Sequence, residues 1–233
     1  MNGAGAGPTA SPGGRRILLL VGPVGAGKGT QATALSRELG LVHLASGNLF
    51  RQALNEGSPL GEQARTYMER GDLVPDEITI GMFMQELAGP DAVRGAILDG
   101  FPRTVTQAAA LDATLAANGT RIERVISIEV PVEELVARVA GRRTCPVCGT
   151  SYHLSGEPPS RPGLCDRDGT PLVQRDDDRH EVVRARLAKQ IAPMLEVLDH
   201  YDAAGIVAHI DGMQPIADVT AAILRSLAVG RDG

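Results

Sequence analysis

One stretch of the chain, Gly22-Pro23-Val24-Gly25-Ala26-Gly27-Lys28-Gly29-Thr30, combines glycines with a lysine at the spacing that binds polyphosphate. Glycines let the backbone curl so that successive N–H groups point inward at phosphate oxygens, and Lys28 adds a point charge. The pattern G-x-x-x-x-G-K-[ST] is met from Gly22 to Lys28, but Gly29 stands where the hydroxyl is expected and Thr30 comes one residue later. A second stretch, Leu98-Asp99-Gly100-Phe101-Pro102-Arg103-Thr104, ends an apolar run on an acid. Such a carboxylate can reach Mg²⁺ or its waters beside a phosphate loop, and Asp before Gly is equally a common turn former. Arg51, Arg103, Arg138, Arg142, Arg175 and Arg186 have no hydrophobic reason for their positions. Any one of them suits a solvated surface. Beside a phosphate loop, several together suit phosphoryl transfer, in which charge spreads over equatorial oxygens.

The cysteines form a separate constellation. Cys145-Pro146-Val147-Cys148 is followed after sixteen residues by Cys165-Asp166-Arg167-Asp168. That spacing makes a tetrahedral Zn²⁺ site of Cys145, Cys148, Cys165 and Asp168. A redox pair is the alternative, but it would open a helix after a strand and would not need Cys165. Four protein ligands close the shell, so the expected metal is structural.

These groups need elements to position them. Apolar runs predict strands at 17–21, 41–44, 96–98, 125–130 and 206–210, with amphipathic helical runs between most of them, such as 131–140 and 181–199. Strands alternating with helices give an α/β fold with a parallel sheet covered on both faces. The phosphate loop then lies between strand 17–21 and a helix over 31–39, whose positive N-terminal end adds to the nest. Periodicity breaks between Gly141 and Asp178, where Gly, Pro, Asp and all three cysteines concentrate, which marks an inserted unit. Its large apolar residues are Val147, Tyr152, Leu154, Leu164, Leu172 and Val173, too few for a core of its own. Residues 1–14 contain no large apolar residue after the initiator and are expected to form a disordered tail. No internal repeat is present.

With 233 residues, 43% hydrophobic and a formal net charge of −5, the chain has the composition of an ordinary globular protein of one or two domains. The acidic balance argues against a general nucleic-acid or polybasic membrane binder, though a local basic cleft survives such an average. No charged-then-apolar leader and no membrane-length apolar stretch is present, which predicts a cytoplasmic protein. Three cysteines do not make a disulfide framework. His43, His153, His180, His200 and His209 lie outside ligand spacing and read as surface or core polar residues; His153, beside Tyr152, is the one expected near a nucleotide.

Residues 22–31, 98–103, Arg142 with the insert, and Arg175-Asp176-Asp177-Asp178 leading to Arg184-Ala185-Arg186 together resemble adenylate kinase of the long type with a zinc-bearing lid, within the nucleoside monophosphate kinases. The resemblance runs from about 17 to 227 and implies a P-loop three-layer fold with a central parallel five-stranded sheet. It implies a core of 15–44, 75–140 and 179–233, an NMP-binding subdomain of 45–74 and a lid of 141–178. The implied reaction moves a phosphoryl group from MgATP to AMP, giving two ADP without a covalent enzyme intermediate. ATP would be held by Gly25, Ala26, Gly27, Lys28, Gly29, Thr30, Arg138, Arg142, Ser151, Tyr152 and Gln214. AMP would be held by Ser46, Arg51, Asp72, Leu73, Val74, Gly100, Phe101, Pro102, Arg103, Gln107, Arg175 and Arg186, with Gln107 reading adenine. Lys28, Arg103, Arg142, Arg175 and Arg186 would act on the transferring group, and Asp99 on magnesium through water. The implied protein is a monomer with ATP, AMP and ADP as its partners, and with neither nucleic acid nor membrane.

The sequence departs from the family pattern in places. Val24 replaces a usual proline, Ala45-Ser46-Gly47-Asn48 stands where Ser-Thr-Gly-Asp is usual, and Gln214 stands where lysine is frequent. A hydroxyl and a carboxylate are thus missing around the monophosphate, which bears on AMP affinity. Rival readings are a kinase for UMP, CMP or GMP or one using GTP, an ATP-switched zinc-ribbon protein that binds nucleic acid, and a catalytically dead nucleotide sensor.

Overall fold

Strand β1 (Arg16–Val21) is the axis of the fold, because its apolar run is buried on both faces. Alternation sends Leu18 and Leu20 into one core and Ile17, Leu19 and Val21 into another. The computed structural model describes residues 15–70, 72–154, 156, 158–175 and 178–228. The expected tail at 1–14 lies outside the described residues, as do Asp176 and Asp177.

From β1 the chain runs through α1 (Lys28–Leu39), β2 (Val42–Ala45), α2 (Ser46–Asn55), α3 (Pro59–Arg70) and α4 (Asp76–Ala88). A 3-10 turn (Pro90–Ala92) leads to β3 (Gly95–Asp99), α5 (Val105–Ala117), β4 (Ile122–Glu129) and α6 (Val132–Ala140). Two short strands, β5 (Arg142–Thr144) and β6 (Ser151–His153), precede α7 (His180–Asp202), β7 (Val207–Asp211) and α8 (Ile216–Ala228). Five strands make one sheet in the order β2-β3-β1-β4-β7, every neighbouring pair parallel. Each crossover carries at least one helix, and the two cores lie on opposite faces. One packs residues of α1, α6, α7 and α8; the other packs residues of α4, α5 and α7.

All five sequence-predicted strands are present. The largest difference is at β4, which begins at Ile122 where the apolar run predicts 125. Its register against β1 slips there, so that Ile17 pairs with Ile122 and Leu18 with Arg124. Glu123, skipped by the ladder, instead takes both ends of the Arg16 guanidinium at 2.6 and 2.7 Å. Charged residues at the start of β4 hide it from an apolar-run reading.

Two smaller clusters stand apart from the sheet. Phe50, Ala64, Val74 and Met82 form one, shared by α2, α3 and α4. Cys145, Tyr152 and Cys165 form the other, against Cys148 and Leu172, beside the antiparallel pair β5–β6. No helix among the described residues is long and apolar enough to cross a membrane.

Candidate active site

The phosphate loop leaves β1 at Val21 and enters α1 at Lys28, three residues earlier than the predicted helix start. Gly27 caps α1 in the left-handed conformation and no side chain caps it. The first N–H groups of α1 are therefore available to an anion. Gly25 is required on steric grounds: a Cβ there would stand 2.8 Å from the Leu135 carbonyl oxygen and 2.9 Å from Val139 Cγ2. The loop thus lies directly on α6. Lys28 Nζ folds back to donate to the Gly22 and Pro23 carbonyls at 2.8 and 2.9 Å. Burial lowers the Lys28 ammonium to about 8; Arg103, Arg142 and Arg186 push it the same way, and Asp99 opposes them.

Asp99 ends β3 and pairs in register with Leu20 of β1, so it sits at the carboxyl end of the sheet beside the loop. A Cβ on Gly29 would lie 3.7 Å from Asp99 Oδ2. Burial would raise this carboxyl, but a hydrogen bond from His43 and the charges of Lys28, His43 and Arg103 outweigh it and hold the carboxyl below its ordinary value. His43 Nε2 stands 3.3 Å from Asp99 Oδ2. A buried carboxylate so held, next to a phosphate loop, suits a hard, oxygen-seeking cation such as Mg²⁺.

On the other side of β3, Gly100 turns the chain with φ 75°, and a Cβ there would meet Ser46 Oγ at 2.6 Å. Glycine is needed both for the conformation and for the approach of α2. Arg103 donates through Nε to the Gly100 carbonyl at 2.7 Å and through a terminal nitrogen to Ser46 Oγ at 3.1 Å. Burial and the nearby Arg186 lower the Arg103 guanidinium from its ordinary value. Phe101 is buried and stacks on Phe83 at 4.2 Å, which fixes the turn through Pro102 to the start of α5. Gln107 is 1% exposed, accepts from the Arg103 backbone N–H at 2.7 Å and donates to Asp76 Oδ1 at 2.7 Å. Arg51 donates to Asn48 Oδ1 at 2.6 Å. Asp72 pairs with Lys189 of α7 at 2.5 Å, while Leu73 is half-buried and Val74 belongs to the α2–α4 cluster.

Arg142 opens β5 and forms a two-point ion pair with the fully buried Asp178, its Nε 2.7 Å from Oδ2. Arg175, half-buried, accepts through its carbonyl from Asp178 N at 3.1 Å. Arg138 donates to Glu134 at 2.9 Å and to the Gly212 carbonyl at 3.0 Å, so α6 and the turn before Gln214 come together. Ser151 is exposed. Tyr152 turns its hydroxyl away from solvent, 3.4 Å from Cys165 Sγ, and accepts from Asp166 N at 2.8 Å. His153 accepts from Gly156 N at 3.0 Å, a contact local to the insert.

Cys145, Cys148, Cys165 and Asp168 bring their ligand atoms within 4.8 Å of one another. Cys148 Sγ and Cys165 Sγ are 3.5 Å apart, and Cys145 Sγ is 3.4 Å from Asp168 Oδ2. Zinc–sulfur bonds of about 2.3 Å in a tetrahedron place sulfurs about 3.8 Å apart, so the set fits Zn²⁺.

Three groups at the site carry no motif. His43 is one turn of strand alternation before Ala45, which pairs with Asp99, so strand parity was the available signal. Asp76 and Asp178 meet their partners through tertiary packing alone, Asp76 with Gln107 and Asp178 with Arg142.

Comparison with known proteins bears directly on this arrangement. A family model described as adenylate kinase matches residues 20–206. An adenylate kinase of Moorella thermoacetica is 48% identical over 218 residues, covering 92% of this chain and 98% of the relative. Those of Desulforamulus reducens and Staphylococcus aureus (strain Mu50) are 48% and 46% identical, covering 89% and 87% of this chain and 97% and 94% of their own lengths. The chain belongs to the adenylate kinase family.

Proposed function

We propose that this protein catalyses reversible transfer of the γ-phosphoryl group of MgATP to AMP, giving two ADP, and so balances the cell's adenine nucleotides. The observation that carries the reading is the gathering of charge at the carboxyl end of the sheet: Lys28 feels Arg103, Arg142 and Arg186 together, with Asp99 opposing them. Cations from β3–α5, β5 and α7 converge on the end of a phosphate loop, which is the arrangement a polyanion in transfer requires.

An oxygen of the AMP phosphate attacks the γ-phosphorus in line, the new P–O bond forming as the bond to the ADP oxygen breaks. The attacking oxygen is already anionic, so no general base is needed. Residues 25–30 cradle the donor phosphates, and Lys28 follows the charge from β–γ bridge to leaving group. Arg103 and Ser46, already bonded to each other, receive the acceptor phosphate with Arg51, and Arg175 and Arg186 complete the clamp. Asp99 would meet the magnesium that arrives with ATP, and that ion would neutralise phosphate charge. Arg138 and the main chain at Gln214 take the donor base, with Ser151 and Tyr152 closing over it. Segment 45–74 is the acceptor subdomain and 141–178 the lid, both moving on the core of 15–44, 75–140 and 179–233. Their closure excludes water, which would otherwise take the phosphoryl group. Cys145, Cys148, Cys165 and Asp168 would hold Zn²⁺, which would supply structure to the lid. We further propose a cytoplasmic monomer without nucleic-acid or membrane partners, in keeping with its net charge of −5.

The test is turnover with ATP and each of AMP, UMP, CMP and GMP, and with GTP as donor. ATP with AMP should be the preferred pair, and Lys28→Met should lower kcat by about 10³-fold or more with a smaller effect on nucleotide binding. A faster reaction with another monophosphate, or near-normal turnover in Lys28→Met, overturns the reading.

A further inference from the structure

We propose that Asp76 is the positioning residue that sets acceptor-base selectivity, because it fixes which end of the Gln107 amide donates and which accepts. The proposal rests on the reading of Gln107 as the residue that meets the acceptor base.

Asp76 is the first residue of α4, and its carboxylate is shared between two residues at the start of α5. Oδ1 accepts from Gln107 Nε2 at 2.7 Å and Oδ2 accepts from Thr104 Oγ1 at 2.9 Å. The same Thr104 oxygen, as cap of α5, accepts from Gln107 N at 3.2 Å. Gln107 Oε1 accepts from Arg103 N at 2.7 Å. An amide viewed alone has two nearly isosteric orientations, exchanged by a half-turn of its last torsion. Here the neighbours admit one. A carboxylate accepts and cannot donate, so the atom facing Asp76 is nitrogen; a backbone N–H donates and cannot accept, so the atom facing Arg103 is oxygen. The reversed amide would set oxygen against carboxylate and N–H against N–H in a residue 1% exposed, where unmade hydrogen bonds are most costly.

Each end of the locked amide keeps one capacity, the second Nε2 hydrogen and the second lone pair of Oε1. Adenine presents an acceptor at N1 beside the donor at N6, whereas guanine presents an acceptor at O6 beside the donor at N1. The two edges carry donor and acceptor in opposite order, and an amide free to turn over would serve both. Locked by Asp76, it serves one. The acceptor preference of the site is thereby carried by a residue that need not touch the nucleotide.

The experiment measures kcat/KM for AMP and for GMP, with ATP as donor, on the full-length protein and on Asp76→Asn, Gln107→Leu and the double variant. Asparagine keeps the size of Asp76 but can offer either an oxygen or a nitrogen to Gln107, so at this end of the amide both orientations become bonded. The AMP-over-GMP ratio should fall about tenfold, the value of one ordinary hydrogen bond, while KM for ATP holds. Arg103 N–H remains as a second lock, so preference should not vanish. In the Gln107→Leu background, Asp76→Asn should change the ratio no further. Asp76→Ser, too short to reach the amide, should lower the ratio likewise and serves if Asp76→Asn folds poorly. An unchanged ratio in Asp76→Asn, an equal fall for AMP and GMP, or independent multiplication of the two effects overturns the proposal. An unchanged ratio in Gln107→Leu itself instead overturns the base-reading role on which it rests.

Discussion

Lys28 is held between burial and its ligand's charge. Its ammonium is lowered from 10.5 to about 8, so between those values the unfolded chain keeps a proton that the folded chain has released. The cost of burying the charge is therefore complete at neutral pH and lessens as pH rises through that window. Donor phosphates reverse the balance, because an anion beside Nζ restores the proton. ATP binding at about pH 8.5 should take up a measurable fraction of a proton, and binding at about pH 6.8 should take up almost none from this group. Calorimetry in buffers of different ionisation enthalpy reads the uptake, and it should disappear in Lys28→Met. At this scale the sequence is legible wherever chemistry follows from local spacing: Gly22 to Lys28 specify a glycine loop between strand and helix, and the spacing of Cys145, Cys148 and Cys165 specifies a cluster, without reference to the rest of the chain. His43, Asp76 and Asp178 were not legible. Each acts through a partner at least thirty positions away, on Asp99, Gln107 and Arg142 respectively, and polar partners brought together by packing leave no period in the sequence.

Among the elements, the insert carrying β5 and β6 differs most from the sheet in what holds it. Of its six large apolar residues, Val147, Leu154 and Val173 are 73%, 58% and 45% exposed, and Tyr152 is the one that is buried. What remains is a cysteine cluster, and a metal bound there would contribute folding free energy. Purified protein should contain about one zinc per chain, and chelation should strip hydrogen-exchange protection from β5 and β6 while β1 and β4 keep theirs. Asp168→Ala should weaken zinc binding by about 100-fold or more, whereas Asp168→Cys should keep or tighten it, since thiolate is the softer ligand. Protein isolated under reducing conditions with no zinc would overturn the assignment. The sheet strands were readable for the opposite reason. Both faces of β1 are buried, so the strand is a continuous apolar word, while the start of β4 carries Glu123 and Arg124, so its apolar run opens three residues late.

For the whole molecule, the proposed donor and acceptor phosphate sites imply that one ligand spanning both should bind far better than either nucleotide. A dinucleotide joining two adenosines through five phosphates, at about 100 times its Kd, should stabilise the protein by about 2.7 kcal/mol and raise Tm by about 5–10 °C. Small-angle scattering should show a smaller radius of gyration on binding. A raised Tm without compaction would leave the phosphate sites intact and remove the proposed closure. The ion pair of Arg142 with Asp178, the Thr144–Val173 bridge and the bond from Gln174 to the Ala140 carbonyl together hold the two ends of the segment between them. Lengthening a loop whose ends are already held together costs only about 0.6 kcal/mol per doubling. The intervening segment should thus accept changes of length or of ligand set at small cost to the sheet and the phosphate loop.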